Sequence, residues 1–349
     1  MLPFDNESSI ITNNNEVLKN AEIYLKDKIY GPESLAIHEG TQHIFSGLRN
    51  GLIIEMDINE QGEINIVREF RLHDIHQGSC DGTFKSFPKC GRPLGVRFRK
   101  LYRNKLFIAD AYHGLYELDI ITGKSKLILQ AGTLITNNIS DLPLRHLNDF
   151  DETFNGKIIL SEPSMKFSDR DCILAMLEHS GDGRILSYDD RRNELKVIAS
   201  GLQYPNGIQI EGDNCVFCYD EPNWKATIFI DNLPGYPDNV RLSAQGFVWI
   251  PLPEVRLEDD KWLTMNSFLR NMIAAFIPPS ILMDLLKWIA PKYGLVLAVN
   301  RDNASIIRSL HDPDGRTISA ITEVAEMNDG TLLFGSDTNN FIAKLDKNY

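Results

Sequence analysis

The 349-residue chain has no uninterrupted apolar run of about 18 residues, the length a helix needs to cross a bilayer. Its start, Met1-Leu2-Pro3-Phe4-Asp5-Asn6, lacks the basic stretch and apolar core of a secretory leader, so no signal peptide is legible. Positive charge is in deficit: 36 Lys and Arg stand against 48 Asp and Glu, a net charge of −12. Phosphate backbones need a basic face, which excludes nucleic acid as the main partner, and the acidic surplus mostly serves solubility. Cysteine is scarce, at five residues. Cys215 and Cys218 have no second C-x-x-C to complete a zinc site, and on a strand residues three apart face opposite sides, so they read as core filler. Cys172 stands alone. Cys80 and Cys90 flank a short loop of Gly, Asp, Phe and Pro, and are either a surface disulfide, which implies an oxidising compartment, or two reduced thiols. Asn6, Asn138 and Asn303 head glycosylation sequons, which matter only if the chain enters the secretory pathway.

What the chain does have is a repeated unit. A polar or Gly residue opens a short strand, then come a tight turn, an apolar strand and a third strand. One unit runs Ser34–Ile37, Gln42–Gly47 and Leu52–Asp57; the next runs Pro93–Phe98, Lys105–Asp110 and Gly114–Asp119. Further units open at His146, Pro205, Pro237 and near Glu323. Period-two alternation bounded by Gly, Asn, Asp and Pro is the strand signal, and its repetition is the propeller signal. Six imperfect units predict an all-β, six-bladed β-propeller over residues 21–349, preceded by a disordered tail over 1–20. A pair of β-sandwiches is the competing arrangement. The fourth unit looks one strand poorer than its neighbours between Tyr219 and Thr227.

Residues 262–290 break the pattern. Met265, Phe268, Leu269, Met272, Ile273 and Phe276 recur at helical spacing, Pro278-Pro279 interrupts, and Ile281, Leu282, Leu285, Leu286 and Ile289 resume. This is a helical insertion in the fifth unit. It reads as a lid packed on the propeller face or as an amphipathic hairpin in peripheral contact with a membrane, although its polar side is not rich in Lys or Arg.

Five residues from distant stretches share one context. Glu33, Asn148, Asn206, Asp238 and Asn239 each sit at the start of an apolar run, so if those runs are innermost strands their side chains meet in one channel. Carboxylate and amide oxygens without His or Cys suit a hard cation such as calcium, which takes about six to eight oxygens. Read singly, each is an ordinary turn residue.

The segments Cys90-Gly91-Arg92-Pro93-Leu94-Gly95, Ala109–Leu115, Asp182-Gly183-Arg184, Tyr204-Pro205-Asn206-Gly207, Leu233–Asn239 and Arg308–Gly315 carry a resemblance over nearly the whole chain from about residue 30. The chain resembles the strictosidine-synthase-like group, in its branch of adipocyte-membrane-associated proteins and insect hemomucins. The resemblance implies a six-bladed propeller, a Cys80–Cys90 disulfide, glycosylation and a place in the secretory pathway or at the cell surface. It also implies an N-terminal membrane anchor in the relatives, which this chain does not show, as a truncated, spliced or soluble form would not.

The group is similar, more distantly, to calcium-dependent lactonases and arylesterases of the paraoxonase type. That similarity assigns the five oxygens above to a catalytic calcium, with Asp238 as nucleophile or base and Glu33 beside it, acting on a small ester or lactone. It assigns a histidine pair to positions near Leu94 and Ala111, which have none; His113 is close in sequence. Strictosidine-synthase-type condensation is disfavoured, because the expected base falls near Ile318-Ser319-Ala320, with Glu323 and Glu326 a few residues on. A non-enzymatic, glycosylated binding propeller with a structural ion is the alternative to a hydrolase.

Overall fold

The computed structural model describes residues 15–73, 80–135, 142–211, 214–215 and 227–347. Five four-stranded antiparallel sheets follow one another around a propeller. The first contains β2 (Leu35–Ile37), β3 (Ile44–Gly47), β4 (Leu52–Ile58) and β5 (Ile64–Arg71). The second contains β6 (Pro93–Phe98), β7 (Lys105–Asp110), β8 (Gly114–Asp119) and β9 (Ser125–Gln130). The third contains β10 (Phe150–Glu152), β11 (Ile158–Glu162), β12 (Gly183–Asp189) and β13 (Glu194–Leu202). The next complete sheet is β17 (Arg241–Leu242), β18 (Phe247–Pro251), β20 (Gly294–Asn300) and β21 (Ile306–Asp312). The last is β22 (Glu323–Glu326), β23 (Leu332–Gly335) and β24 (Ile342–Leu345), completed by β1 (Glu22–Tyr24) from the other end of the chain. Glu22 pairs with Lys344 and Tyr24 with Ile342, so the first strand closes the ring and covers an edge that would otherwise stay open.

Strand periodicity explains why both faces of each sheet are apolar. Leu35 packs with Ala325, Leu333 and Ile342 of the last sheet, whereas the next residue, Ala36, packs with Val96, Ile108 and Tyr116 of the second. Ile54 and Ile53 divide in the same way. Trp249 and Phe247 seal the seam to Val324 and Phe334. A sheet sandwiched between two others cannot keep a polar face, and one-residue alternation here selects which neighbour is touched rather than core against solvent.

Between the third sheet and β17 lie two small ladders, β14 (Ile210–Glu211) with β15 (Asn214–Cys215), and β16 (Gly235–Tyr236) with β19 (Glu254–Val255). The sequence predicts a strand-poor fourth unit, and its described part is the two-residue ladder β14–β15; residues 212–213 and 216–226, Cys218 among them, lie outside the described residues. Ile208 and Ile210 nevertheless pack on Ile159 and Ile185 of the third sheet.

One expectation needs correction. Residues 15–20, assigned from sequence to a disordered tail, fold back on the ring: Val17–Asn20 is a 3₁₀ turn, and Leu18 is fully buried against Phe247, Trp249 and Phe334. Sequence alone offered no periodicity in so short a piece. Residues 1–14, including Asn6, lie outside the described residues, as does Asn138. The helices of the insertion are α3 (Glu258–Met265), α4 (Ser267–Phe276) and α5 (Pro279–Ile289), between β19 and β20. The sequence reading missed their partner, α2 (Cys172–Glu178), which leaves the third sheet between β11 and β12 and buries only Ile173 and Leu177. The remaining helix, α1 (Phe87–Cys90), ends at the disulfide, which joins Cys80 to Cys90 across ten residues, so the pair is not two reduced thiols. Cys172 is free. Asn303 is exposed in a turn.

Leu18→Ala should cost about 2–5 kcal/mol, the usual loss for emptying a buried leucine site. Chemical denaturation of the full chain against the variant measures it, and a change below about 0.5 kcal/mol would mean that the turn is not part of the folded ring.

Candidate site in the propeller channel

The innermost segments approach each other closely, and glycine sets the approach. A Cβ on Gly207 would lie 2.4 Å from the Asp238 carbonyl oxygen and 2.5 Å from the Val240 nitrogen. A Cβ on Gly95 would lie 2.8 Å from the Asn148 carbonyl oxygen, to which the Gly95 N–H donates at 2.8 Å. These two glycines bring the Asn148, Asn206 and Asp238 segments against neighbouring inner segments. Backbone bonds fix the rest: Asn239 N donates to Thr322 O, Asp238 N to Pro251 O, and the Thr322 hydroxyl to Glu33 O at 2.7 Å.

Glu33, Asn148 and Asn239 are buried, and Asn206 and Asp238 are half-buried. One oxygen of each is buried with no hydrogen-bond partner: Glu33 Oε2, Asn148 Oδ1, Asn206 Oδ1, Asp238 Oδ1 and Asn239 Oδ1. The Asn239 amide donates across the channel to Glu33 Oε1 at 3.3 Å, which leaves its own oxygen free. Burial raises the Glu33 carboxyl well above its ordinary range, the Asp238 charge adds to the rise, and Arg92 opposes it. Burial raises Asp238 likewise, reinforced by Asp337, Glu323 and Asp149. Two carboxylates and three amide oxygens, all acceptors, are a donor set that a hard cation fits. Among the described residues no three or more His, Cys, Asp or Glu side chains group as metal ligands, so amides are essential to any such site.

On one side of the five oxygens the channel is filled with ion pairs. Asp149, fully buried, accepts from Arg241 Nη1 at 2.8 Å, Arg97 Nη2 at 3.3 Å and Ile208 N at 2.9 Å. Burial alone would raise its carboxyl, but Arg241 and Arg97 hold it below the usual range. Arg241 Nη2 also meets Glu323 Oε2 at 2.5 Å, and Ser34 Oγ donates to the same oxygen at 3.1 Å. Burial still pushes the Glu323 carboxyl up to about 7. Glu323, at the start of β22, is thus held by Arg241 and Ser34.

On the other side, α2 and the turn before it form a roof. Tyr204, two residues before Asn206, hydrogen-bonds Cys172 and feels the charges of Asp169 and Asp238. Burial pushes the Cys172 thiol up to about 12, with Asp169 adding to the rise, so it is not a nucleophile at neutral pH. Asp169, raised by burial, faces Arg92 and Arg49. Sequence reasoning missed Arg92, Asp169 and Tyr204, which carry no spacing that links them. His113 goes elsewhere: its Nε2 donates to Pro88 O at 3.2 Å and its ring meets His73 at 4.4 Å, beside the disulfide loop. Leu94 and Ala111 are buried apolar residues.

This arrangement has relatives. Along 95% of its length the chain is 34% identical to adipocyte plasma membrane-associated protein from Gallus gallus, covering 79% of that protein. The chain belongs to the strictosidine-synthase-like family. The human protein of the same name is 32% identical over the same shares, and strictosidine synthase-like 13 of Arabidopsis thaliana is 27% identical over 84% of this chain and 75% of that one. The strictosidine synthase family model matches residues 148–232, which contain Asn148, Asp169 and Asn206. In architecture the chain is similar to a gluconolactonase from Xanthomonas campestris, with a TM-score of 0.54 over 94% of this chain and 90% of that one; at 12% identity this speaks to the propeller fold alone. No single described helix is long and apolar enough to cross a membrane, while α4 and the first part of α5 qualify only together, across a 116° bend.

Replacing Asp149 with Asn keeps the shape and leaves two buried guanidinium groups short of counter-charge. Breaking a buried pair in this way costs about 3–5 kcal/mol. A denaturant midpoint unchanged in Asp149→Asn would show that the ion pairs do not hold the inner segments together.

Proposed function

We propose that the channel binds a calcium ion through Glu33, Asn148, Asn206, Asp238 and Asn239 and hydrolyses small esters or lactones there, in a ring that counts six blades with the β14–β15 segment as the fourth. The five partnerless oxygens carry this reading: they come from the first, third, fourth and fifth units, and none of them accepts a hydrogen bond from the described residues. Packing of Ile208 and Ile210 on the third sheet, and of Leu233 and Phe229 on Val248 and Ile250, supports counting a blade between. A lactonase among the proteins of similar architecture is consistent with the chemistry but does not assign it.

A calcium ion held in the site would act as a Lewis acid on an ester or lactone carbonyl. The chain's own residues do the rest. Glu33 and Asp238 supply the two negative charges. Asp238, half-buried, would be the carboxylate that takes a proton from an attacking water. Arg97, Arg241, Asp149 and Glu323 close the far side, which leaves the roof side for substrate. Glycosylation at Asn303 and a secretory or cell-surface location fit the disulfide, because such bonds persist in oxidising compartments.

One observation favours the alternative, a binding propeller with a structural ion. Leu94 and Ala111 fill the positions assigned above to a histidine pair, and His113 is turned to the disulfide loop. The two readings part in one experiment. Phenyl acetate and δ-gluconolactone turnover is followed with calcium and after chelation, beside thermal melts. Hydrolysis lost on chelation, restored by calcium and reduced at least 100-fold in Glu33→Gln and Asp238→Asn supports the hydrolase. A melting temperature that falls on chelation with no turnover supports the binding module, and no response of either kind removes the ion.

The pH dependence has a fixed sign. Carboxyls whose folded pKa is raised stabilise the ion-free chain below their unfolded pKa, and that contribution disappears as pH rises through the folded value. Calcium needs both groups ionised. The gap between calcium-loaded and chelated melting temperatures should therefore widen as pH rises from about 5 to 8; a constant gap would place the ion away from Glu33 and Asp238.

A further inference from the structure

The helical insertion is apolar on two sides. One side builds the roof: Leu263, Ile273, Ile277, Leu282 and Leu286 pack with Ile173 and Leu177 of α2. The other side is bare. Phe268 is 78% exposed, Phe276 74% and Trp288 83%, and Met272, Ile281 and Leu285 lie exposed along the same two helices. A surface helix in water keeps a polar face opposite its packed stripe, and one that is apolar all round is normally buried in protein or lipid. The described side chains here cover only one of the two sides.

We propose that α4 and α5 dock this bare face into the interfacial layer of an uncharged phospholipid bilayer, lying along the surface with the channel mouth turned toward it. At ten and eleven residues the helices are about 15 and 17 Å long, half of a hydrocarbon core of roughly 30 Å. The 116° bend between them means that they do not stack end to end as one straight helix. Arg270, the one cation in α4, is turned inward and donates to Leu177 O, Leu263 O and Thr264 O. Among the described side chains of α4 and α5 only Asp284 exposes a charge. Across residues 258–292, Glu258, Asp259, Asp260 and Asp284 balance Lys261, Arg270, Lys287 and Lys292, so the hairpin is neutral within a chain of net charge −12. That balance favours apolar insertion into uncharged lipid over attraction to an anionic surface.

The face also offers little to a protein partner. Protein interfaces carry about one hydrogen bond per 100–200 Å², whereas its central residues, Phe268, Met272, Phe276, Ile281 and Leu285, have no polar side-chain atom able to make one. Lipid tails require none. Trp262 and Trp288, both exposed near the two ends of the helical stretch, present the indole type that settles at the level of lipid headgroups. The hairpin and the site share a side of the propeller, because α2 packs on the hairpin while its first residue, Cys172, hydrogen-bonds Tyr204 beside Asn206. An apolar substrate dissolved in the bilayer would then reach the roof without crossing water.

The test is binding and needs no turnover, so it stands or falls apart from the hydrolase reading. The purified chain is floated with phosphatidylcholine vesicles at low and high salt, beside a variant combining Phe268→Asn, Phe276→Asn and Trp288→Asn. These side chains are largely exposed, so the melting temperature should hold while vesicle partitioning falls at least tenfold. Wild-type partitioning should be insensitive to salt and unimproved by phosphatidylserine, and tryptophan emission should shift to the blue on binding. Absence of binding, equal binding by the triple variant, or binding that appears only with anionic lipid and vanishes in salt would overturn the proposal. So would a wild-type dimer in sedimentation that the triple variant abolishes, with no vesicle partitioning, since the face would then cover a second copy of this chain.

Discussion

The buried carboxylate of Asp149 ties more of this molecule together than any other group. It sits at the start of the third sheet and gathers donors from the second unit through Arg97, the fourth through Ile208 and the fifth through Arg241. Arg241 passes the connection to Glu323 of the last sheet and Ser34 of the first. The seams between sheets are apolar and without direction, so they set distance but not rotation. Charged hydrogen bonds at the axis have direction, and they fix which inner segment faces which. Their members are nearly all desolvated, which makes the loss of any one expensive even where the net gain from the whole set is modest.

The same network makes the channel asymmetric. Four charged side chains fill one side, while the five free oxygens look toward α2. The two sides also treat acids differently. Arg241 and Arg97 hold the Asp149 carboxyl below its usual range, whereas burial raises Glu33 and Asp238, opposed by Arg92 at Glu33 and by the Asn206 side chain at Asp238. A cation entering beside Glu33 and Asp238 would do for them what Arg97 and Arg241 already do for Asp149.

Much of this is legible in the sequence, for physical reasons. Strand repeats are readable because each sheet must present apolar residues on both faces, as Leu35 and Ala36 or Ile53 and Ile54 do. The five oxygen-bearing residues are readable because each lies at a fixed place, just before an inner strand. What stays hidden depends on tertiary contact. Leu18 belongs to the core only because the N-terminal strand returns to β24. The helix α2 is two turns long and shows its role only once α4 and α5 cover it. Glu323 looks like any strand residue until Arg241 meets it, and His113 lies near the right place in sequence while its backbone turns it to the disulfide loop. The sequence reads the fourth unit as poor because Asp220-Glu221-Pro222-Asn223 offers no strand-forming residues, and that stretch lies outside the described residues.

The five oxygens set a limit on what can occupy their centre. Each buried acceptor left unpaired costs about 1–3 kcal/mol, so the set together rivals the net stability of a typical domain, about 5–15 kcal/mol. Apolar residues at these positions would carry no such cost. Water relieves part of the cost, but one water brings two protons to five acceptors, two of them on acids that burial already drives toward neutrality. The proposed divalent cation would meet these acceptors and favour the ionised form of both carboxyls. Protein donors could do the same, and on the far side Arg97 and Arg241 do; here the Asn239 amide is directed to the other oxygen of Glu33 and the Asn206 side chain hydrogen-bonds Asp238, yet the five oxygens themselves stay without a partner. Five acceptor oxygens left without partners, beside carboxyls that burial raises, are therefore the feature on which the proposed ion rests.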